Sequence, residues 1–182
     1  MTVAFYLVGS GAGGAALGTV AALAGTVLRR AIHPSGTVIL LVVGAAAAAA
    51  ILIDTRRSGP VPSIRRQVNE DWLRQYRSWV YGIGFGLQLG AGVATVVTSA
   101  STYLVFVVAM GAPTVWLAIA IGTVYGLARA LPVLLTARVS TFAQLGHLHQ
   151  RLSSLQPSAR RLTLATELIV AVVAAGRAVA VR

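Results

Sequence analysis

The chain has 182 residues, of which 57% are hydrophobic and only 10% charged, and its 15 Arg and 4 acids give a formal charge of +11. Because a soluble domain usually carries about 25% charged residues, this composition disfavours both an ordinary soluble enzyme and a disordered chain. There is no Cys, so disulfides, thiol chemistry and thiolate metal sites are excluded, and an integral membrane protein is predicted.

Two uncharged runs make up the first membrane unit, residues 1–53. The run 3–28 gives a helix of about 39 Å at about 1.5 Å per residue, which crosses a hydrocarbon core of about 30 Å with some tilt. Pro34 and Ser35 then predict the start of a second helix, with Ser35 as its N-cap. That helix covers 37–53, near the lower limit of spanning length, and its run of Ala predicts a small-residue packing face.

The next unit, residues 54–79, is a basic stretch with six Arg and three acids. Asn69 is the predicted cap of a short helix at 70–79, whose first turn holds two acids, as the helix dipole favours. Trp and Tyr side chains beside Arg are typical of the membrane–water interface. We therefore predict a basic cytoplasmic loop that leads into an interfacial helix.

The central unit, residues 80–137, contains two further membrane segments. Residues 80–111 carry no charge over 32 positions, about 48 Å of helix, so this segment must tilt strongly, protrude or break. We expect a break at the hydroxyl cluster within 95–102. The next span covers 114–137, and Pro132 predicts a kink within it.

The last two units are residues 138–161 and 162–182. In the first, apolar residues recur every three or four positions between Phe142 and Leu155, which predicts an amphipathic helix on the membrane surface. Pro157 is expected to restart the chain, and the second unit is a final span. The chain is thus predicted to be an all-α polytopic membrane helix bundle with about five transmembrane helices, four or six being the alternatives.

Arginine is distributed unequally between the two sides of such a bundle. The loops 54–78 and 138–161 hold ten Arg on what we call the Arg-rich side, whereas Arg29 and Arg30 lie opposite. Because basic loops stay cytoplasmic, the N-terminus of this multi-pass protein is predicted to be cytoplasmic. High Ala and the absence of Lys favour a bacterial source and hence the inner (cytoplasmic) membrane. The Arg side chains are expected to meet anionic lipid headgroups, and nothing indicates nucleic-acid binding.

The N-terminal run contains Gly9-x-Gly11-x-x-Gly14, which matches a dinucleotide-binding fingerprint. That fingerprint requires an acidic residue about 20 positions later, where this chain has Arg29 and Arg30. Strand–helix alternation is also missing from the sequence. We therefore expect these glycines to serve close helix packing, and we expect no cofactor.

A glycine triplet recurs at an offset of 73 residues. The two copies are Gly9, Gly11 and Gly13, and Gly82, Gly84 and Gly86. Each copy opens a Gly-rich span that is followed by a second span starting near a Pro. This pattern suggests duplicated halves, which many transporters have.

Residues 81–90, YGIGFGLQLG, run into VAT at 93–95 and resemble the lysine-exporter superfamily, and more closely the CcdA-type thiol transporters. The resemblance covers 80–137 and, loosely, 3–53. It implies duplicated small-residue helices that carry electrons or solutes. The CcdA-type members work through a pair of membrane cysteines, which this chain lacks. The resemblance therefore leaves solute passage or a non-catalytic descendant, and it assigns no functional residue.

The same segment holds the candidate pathway residues, because at helical spacing one side of it carries an amide, several hydroxyls and small residues. The polar members of this stripe are Gln88, Thr95, Thr98, Ser99 and Thr102. One interpretation is that they line a pathway for a small solute near a broken helix. The alternative is packing between helices, since Gly82, Gly86 and Gly90 form a double small-xxx-small run.

Two charged residues, Arg129 and Glu167, lie well inside predicted spans. A charge at the bilayer centre costs about 2.5–3.5 kcal/mol on insertion scales, so such residues usually face the bundle interior or have a partner. Three alternatives follow: an ion pair between them, a proton or ion role, or anchoring at the interface by snorkelling. His147 and His149 point to different faces of their helix, so no metal site is predicted.

No catalytic arrangement is found in the sequence, so we expect no enzymatic activity. The first functional hypothesis is a small transporter or exporter-like bundle, in which copies share a route as a homo-oligomer. The alternative is a non-catalytic structural or regulatory subunit that packs against other membrane subunits of a larger complex. The abundance of Gly and Ala faces favours that alternative.

Overall fold

The computed structural model describes residues 2–56, 77–92, 99–136 and 141–180. Over these ranges the chain is helical apart from short connections and contains no strand, which confirms the all-α prediction. The described helices are α1 (Thr2–Ile32), α2 (Gly36–Arg56), α3 (Ser78–Ala91), α4 (Ser101–Gly111), α5 (Val115–Thr136) and α6 (Phe142–Ala180).

The N-terminal helix α1 lies between α3 and α5 and packs most extensively against these two helices. Its glycines meet the backbones of both neighbours, since a Cβ added at Gly13 would overlap α3 and one added at Gly14 would overlap α5. Ser10, which is fully buried, donates a hydrogen bond of 2.7 Å from its hydroxyl to the Gly126 carbonyl of α5. The predicted close packing of this run is thus confirmed, because no larger side chain fits between these backbones.

The long uncharged run after Arg77 is broken, which is one of the three outcomes that its length allows. Helix α3 ends at Ala91, the next residue Gly92 has a left-handed φ of 71°, and α4 begins only at Ser101. An L side chain disfavours that backbone conformation, so a glycine suits the point where α3 stops.

The half-helices α3 and α4 lie one after the other along α1. Gly9 of α1 packs against Ile83 of α3, whereas Gly25 packs against Met110 of α4. The break therefore falls beside the middle of α1. Together the two half-helices provide about 37 Å of helix, which is enough for one crossing of the membrane.

Helices α2 and α6 form an antiparallel pair, because Gly44 lies by Ala174 whereas Asp54 lies by Arg160. The predicted cap of α2 is confirmed, since the Ser35 hydroxyl accepts a hydrogen bond of 3.3 Å from the third N–H of the helix. The predicted Ala face of α2 is also used. It contributes to a buried cluster of Ala47, Ala50, Ala100 and Leu104, with Val170 and Ala171 of α6 packed against it.

Four of the described helices are long and apolar enough to cross a membrane, namely α1, α2, α5 and α6. Large apolar side chains point outward from them, and Trp116 is 80% exposed. Such a surface suits lipid rather than water. With the stacked half-helices as one further crossing, the bundle matches the predicted number of membrane segments.

The structure corrects one expectation that rested on proline. The restart at Pro157 was wrong, since α6 runs unbroken from Phe142 to Ala180 and joins the expected surface helix to the last span. Helix α5 also continues through Pro132, where the predicted kink stays a prediction. An internal proline removes one backbone hydrogen bond and costs about 3 kcal/mol, which the bonds of long flanking turns outweigh. Residues 151–162 are exposed among the described parts of the chain.

Candidate functional site at the helix break

Tyr125 of α5 connects the two ends of the break. Its hydroxyl donates to the Thr102 hydroxyl at 2.9 Å, in the first turn of α4, and accepts a hydrogen bond of 2.8 Å from Arg129. The same hydroxyl lies against Gly92, where an added Cβ would approach it to 3.0 Å. The Arg129 guanidinium also lies over the Tyr125 ring, 5.6 Å from its centre. A cation and two hydroxyls are thus held at the break, inside the bundle.

Asp54 of α2 holds the start of α4 from the other side. One carboxylate oxygen accepts a hydrogen bond of 2.8 Å from the Ala100 N–H, and the other accepts from the Ser99 hydroxyl. The Ser99 hydroxyl in turn lies 2.8 Å from that of Ser101. A carboxylate here satisfies an N–H that has no partner within the helix and complements the positive end of the α4 dipole. Asp54 therefore helps to fix where α4 begins.

Glu167 of α6 reaches the same cluster. Its side chain is 0% exposed, and neither carboxylate oxygen accepts a hydrogen bond from a described residue. Its carboxyl faces that of Asp54. Carboxylates only accept hydrogen bonds, so the two groups bond to each other only when one of them carries a proton. Two neighbouring carboxyl groups inside the bundle repel each other when both are ionised, so a proton or a cation between them is favourable.

Arg160, about two turns before Glu167 on α6, contacts the backbone at the end of α2. Its guanidinium donates to the carbonyl oxygens of Asp54 and Thr55 at 2.9 and 3.1 Å. These carbonyls belong to the last turn of α2, where a cation complements the negative end of the helix dipole. Arg160 therefore ties α6 to α2 beside the carboxyl pair.

The three described members of the predicted polar stripe do not share one helical face. Gln88 lies on α3, whereas Ser99 and Thr102 stand at the start of α4 and turn to different neighbours, α2 and α5. The expectation of a single helical face was wrong because α3 ends at a left-handed glycine before the hydroxyl cluster. The other two members, Thr95 and Thr98, lie outside the described residues.

The predicted packing glycines occupy the face of α3 that meets α1. A Cβ added at Gly86 would overlap the Tyr6 carbonyl, and one added at Gly90 would overlap the Ser10 carbonyl. Gly82 is buried one turn earlier on the same helix. These glycines serve helix packing, while the polar groups gather at the break.

Of the three alternatives for Arg129 and Glu167, the ion pair between them is not formed. Arg129 contacts Tyr125 on the α5 side, whereas Glu167 faces Asp54 on the α2 side and accepts no hydrogen bond in the described part of the chain. The first turn of α4 contacts both neighbours, through Thr102 and Asp54. Arg129 therefore lies on one side of the start of α4, and Glu167 lies on the other.

The sequence patterns did not indicate a role for Asp54 or Tyr125. Asp54 was assigned to the basic loop because Arg residues follow it directly. Its spacing of four and seven residues from Ala50 and Ala47, both buried in α2, is the signal that would have placed it on the inner face. Tyr125 precedes Arg129 by one turn, so their contact follows from helical spacing alone.

No family model, curated protein or solved structure matches the chain. The helical fold and the exposed apolar side chains define its class as a multi-pass α-helical membrane protein. Its interior holds a helix break with an Arg on one side and two carboxyl groups on the other.

Proposed function

We propose that this chain is a small transporter in which a polar solute passes the break between α3 and α4. The observation that supports this proposal is the pair of half-helices stacked beside the middle of α1, with Arg129 and Asp54 at their ends. Discontinuous helices with ionisable groups at their ends are a common construction of substrate sites in secondary transporters. Charges kept inside a membrane bundle are otherwise unfavourable.

We also infer the setting of the protein from its sequence. The bacterial cytoplasmic membrane is the proposed location, with the N-terminus and the Arg-rich side facing the cytoplasm and anionic headgroups. Five crossings are few to enclose a route, so we propose that two or more copies form it together. The resemblance to the lysine-exporter superfamily also favours solute passage.

Osmotic reswelling of proteoliposomes tests the transport proposal. Light scattering follows reswelling in amino acids, polyols or small carboxylates, each compared with protein-free liposomes. We expect faster reswelling with at least one of these classes and a slower rate for Tyr125→Phe, which removes the hydroxyl that bridges the break. Thr123→Val is the matched control, because the Thr123 hydroxyl bonds the Ile119 carbonyl of its own helix at 2.8 Å.

Reswelling equal to that of protein-free liposomes with every solute, from folded protein, would contradict the transport proposal. Purification in a fixed ratio with other membrane polypeptides would then support the alternative of a structural or regulatory subunit.

A further inference from the structure

Glu167 is a buried carboxyl group to which no described residue donates a hydrogen bond. A carboxylate that is removed from water and left without donors is strongly unfavourable. The group must therefore take up a proton or a cation. This requirement follows from the burial and the contacts of one side chain. That side chain lies in a helix that is long and apolar enough to span a membrane.

Several helices surround Glu167, and they differ in the polar groups that they bring close to it. Helix α2 contributes Asp54, which is also an acid. The first turn of α4 contributes serine hydroxyls and no charge. On α6 itself, Arg160 donates to backbone carbonyls of α2. On α5, Arg129 contacts Tyr125. Of the described charged groups, it is therefore an acid that faces Glu167.

The two carboxyl groups differ in their hydrogen bonds. Both oxygens of Asp54 accept one, from the Ala100 N–H and the Ser99 hydroxyl, and such bonds stabilise an ionised carboxylate. Glu167 accepts none from the described residues. Of the two groups, Glu167 is therefore the one that holds the proton.

We propose that Glu167 carries an exchangeable proton, donated in a hydrogen bond to Asp54, and that this carboxyl pair couples proton movement to solute movement. The coupling rests on the proposed transport function. On loading, a proton from water bonds to an oxygen of the Glu167 carboxylate, and the new O–H donates to Asp54. On release, that O–H bond breaks, its electron pair stays on Glu167, and the proton returns to water.

The position of the pair suits exchange with water from the Arg-rich side. Asp54 lies two residues before Arg56, the exposed end of α2, and Arg160 beside it is also exposed. A small separation of α2 and α6 at this end would admit water to the pair. Because the first turn of α4 contacts both Asp54 and Tyr125, loading at Glu167 changes the hydrogen bonds that position α4 at the break.

Isotope-edited infrared spectroscopy can observe this proton directly, because the chain contains only two Glu, Glu70 and Glu167. In the Glu70→Gln variant grown with carboxyl-labelled 13C-glutamate, Glu167 is the single labelled Glu carboxyl. In lipid vesicles at neutral pH we expect the labelled carbonyl band of a protonated acid, shifted in D2O. At high pH labelled carboxylate bands should replace it. Glu167→Gln, with Glu70 intact, is the control and should lack the protonated band at neutral pH.

A labelled carboxylate band at neutral pH would overturn the proposal. So would loss of the protonated band on addition of sodium chloride at constant pH, which would assign the site to a sodium ion instead.

A second assay measures the coupling between proton movement and solute movement. A pH gradient across proteoliposomes should accelerate reswelling with the transported solute in the unaltered chain and in Glu70→Gln, and this acceleration should be lost in Glu167→Gln. A protonated Glu167 in a protein that moves no solute would support the shared proton and overturn both the coupling and the proposed function. Solute movement with an ionised Glu167 would overturn the proton site alone.

Discussion

Gly14 shows at the scale of one residue why α1 can pack so closely against α5. Its Cα faces the Gly122 backbone of α5, and a Cβ added there would overlap the Gly122 carbonyl. We expect Gly14→Ala to lower the free energy of unfolding by about 1–3 kcal/mol, the usual cost of overpacking, because α1 and α5 must separate. Thermal unfolding in mild detergent, followed by circular dichroism, measures the change.

The matched control for this substitution is Gly176→Ala on α6, where an added Cβ would meet no atom within 4 Å. Because alanine restricts the unfolded chain and favours the helix, this variant should gain roughly 0.5–1 kcal/mol. If both alanines changed stability alike, glycine packing would not explain the position of α1.

Residue types predicted packing better than they predicted partners. Small residues spaced by four on α1 and α3 require close backbones, so that part of the site could be inferred from spacing. The partner of Glu167 could not, because the choice between Arg129 and Asp54 depends on which side of α4 each neighbouring helix occupies. A local sequence pattern does not determine how the helices are placed relative to one another.

The break between α3 and α4 is the main feature at the scale of elements. Helix α3 ends there just before Gly92, whose φ is left-handed. Alanine and asparagine would place the same Cβ against the Tyr125 hydroxyl, at 3.0 Å. They differ in backbone preference, since a left-handed φ costs most residues about 1–2 kcal/mol and asparagine less. We expect Gly92→Ala to be less stable than Gly92→Asn, and both to be less stable than the unaltered chain.

Thermal unfolding of the three proteins in one detergent gives this order. Both variants add the same Cβ beside Tyr125. The difference between their unfolding temperatures therefore reports the cost of the left-handed backbone conformation and not the crowding. An alanine variant as stable as the asparagine variant would show that Gly92 does not need its left-handed conformation.

The elements differ in how far the sequence determined them. The spans of α1 and α2 and the Ser35 cap follow from uncharged length, capping chemistry and the thickness of the bilayer, whereas the break was only one of three outcomes that length allowed. The continuity of α6 through Pro157 did not follow, because a proline lowers helix stability without fixing where the helix ends. Hydrogen bonds on both sides of the proline decide the outcome.

Two Arg contacts show how α2 and α4 are oriented in the whole molecule. Arg160 binds carbonyls in the last turn of α2, beside the start of α4, whereas Arg29 donates to the Met110 carbonyl at the end of α4, at 3.0 Å. Because these contacts lie at opposite ends of α2 and α4, the start of α2 and the first half of α6 should face opposite sides of the membrane. The unequal Arg content then sets which side is cytoplasmic.

The absence of Cys allows this orientation to be tested with single introduced thiols. Gly36, at the start of α2, and Gln150, in the first half of α6, are both exposed, so either accepts a cysteine without disturbing the packing. In intact bacterial cells a membrane-impermeant maleimide should label Gly36→Cys, whereas Gln150→Cys should be labelled only after permeabilisation. The reverse pattern would invert the orientation and keep the fold. Labelling of both from one side would contradict the alternation of crossings, because α2, the α3–α4 pair and α5 together place these two positions on opposite faces.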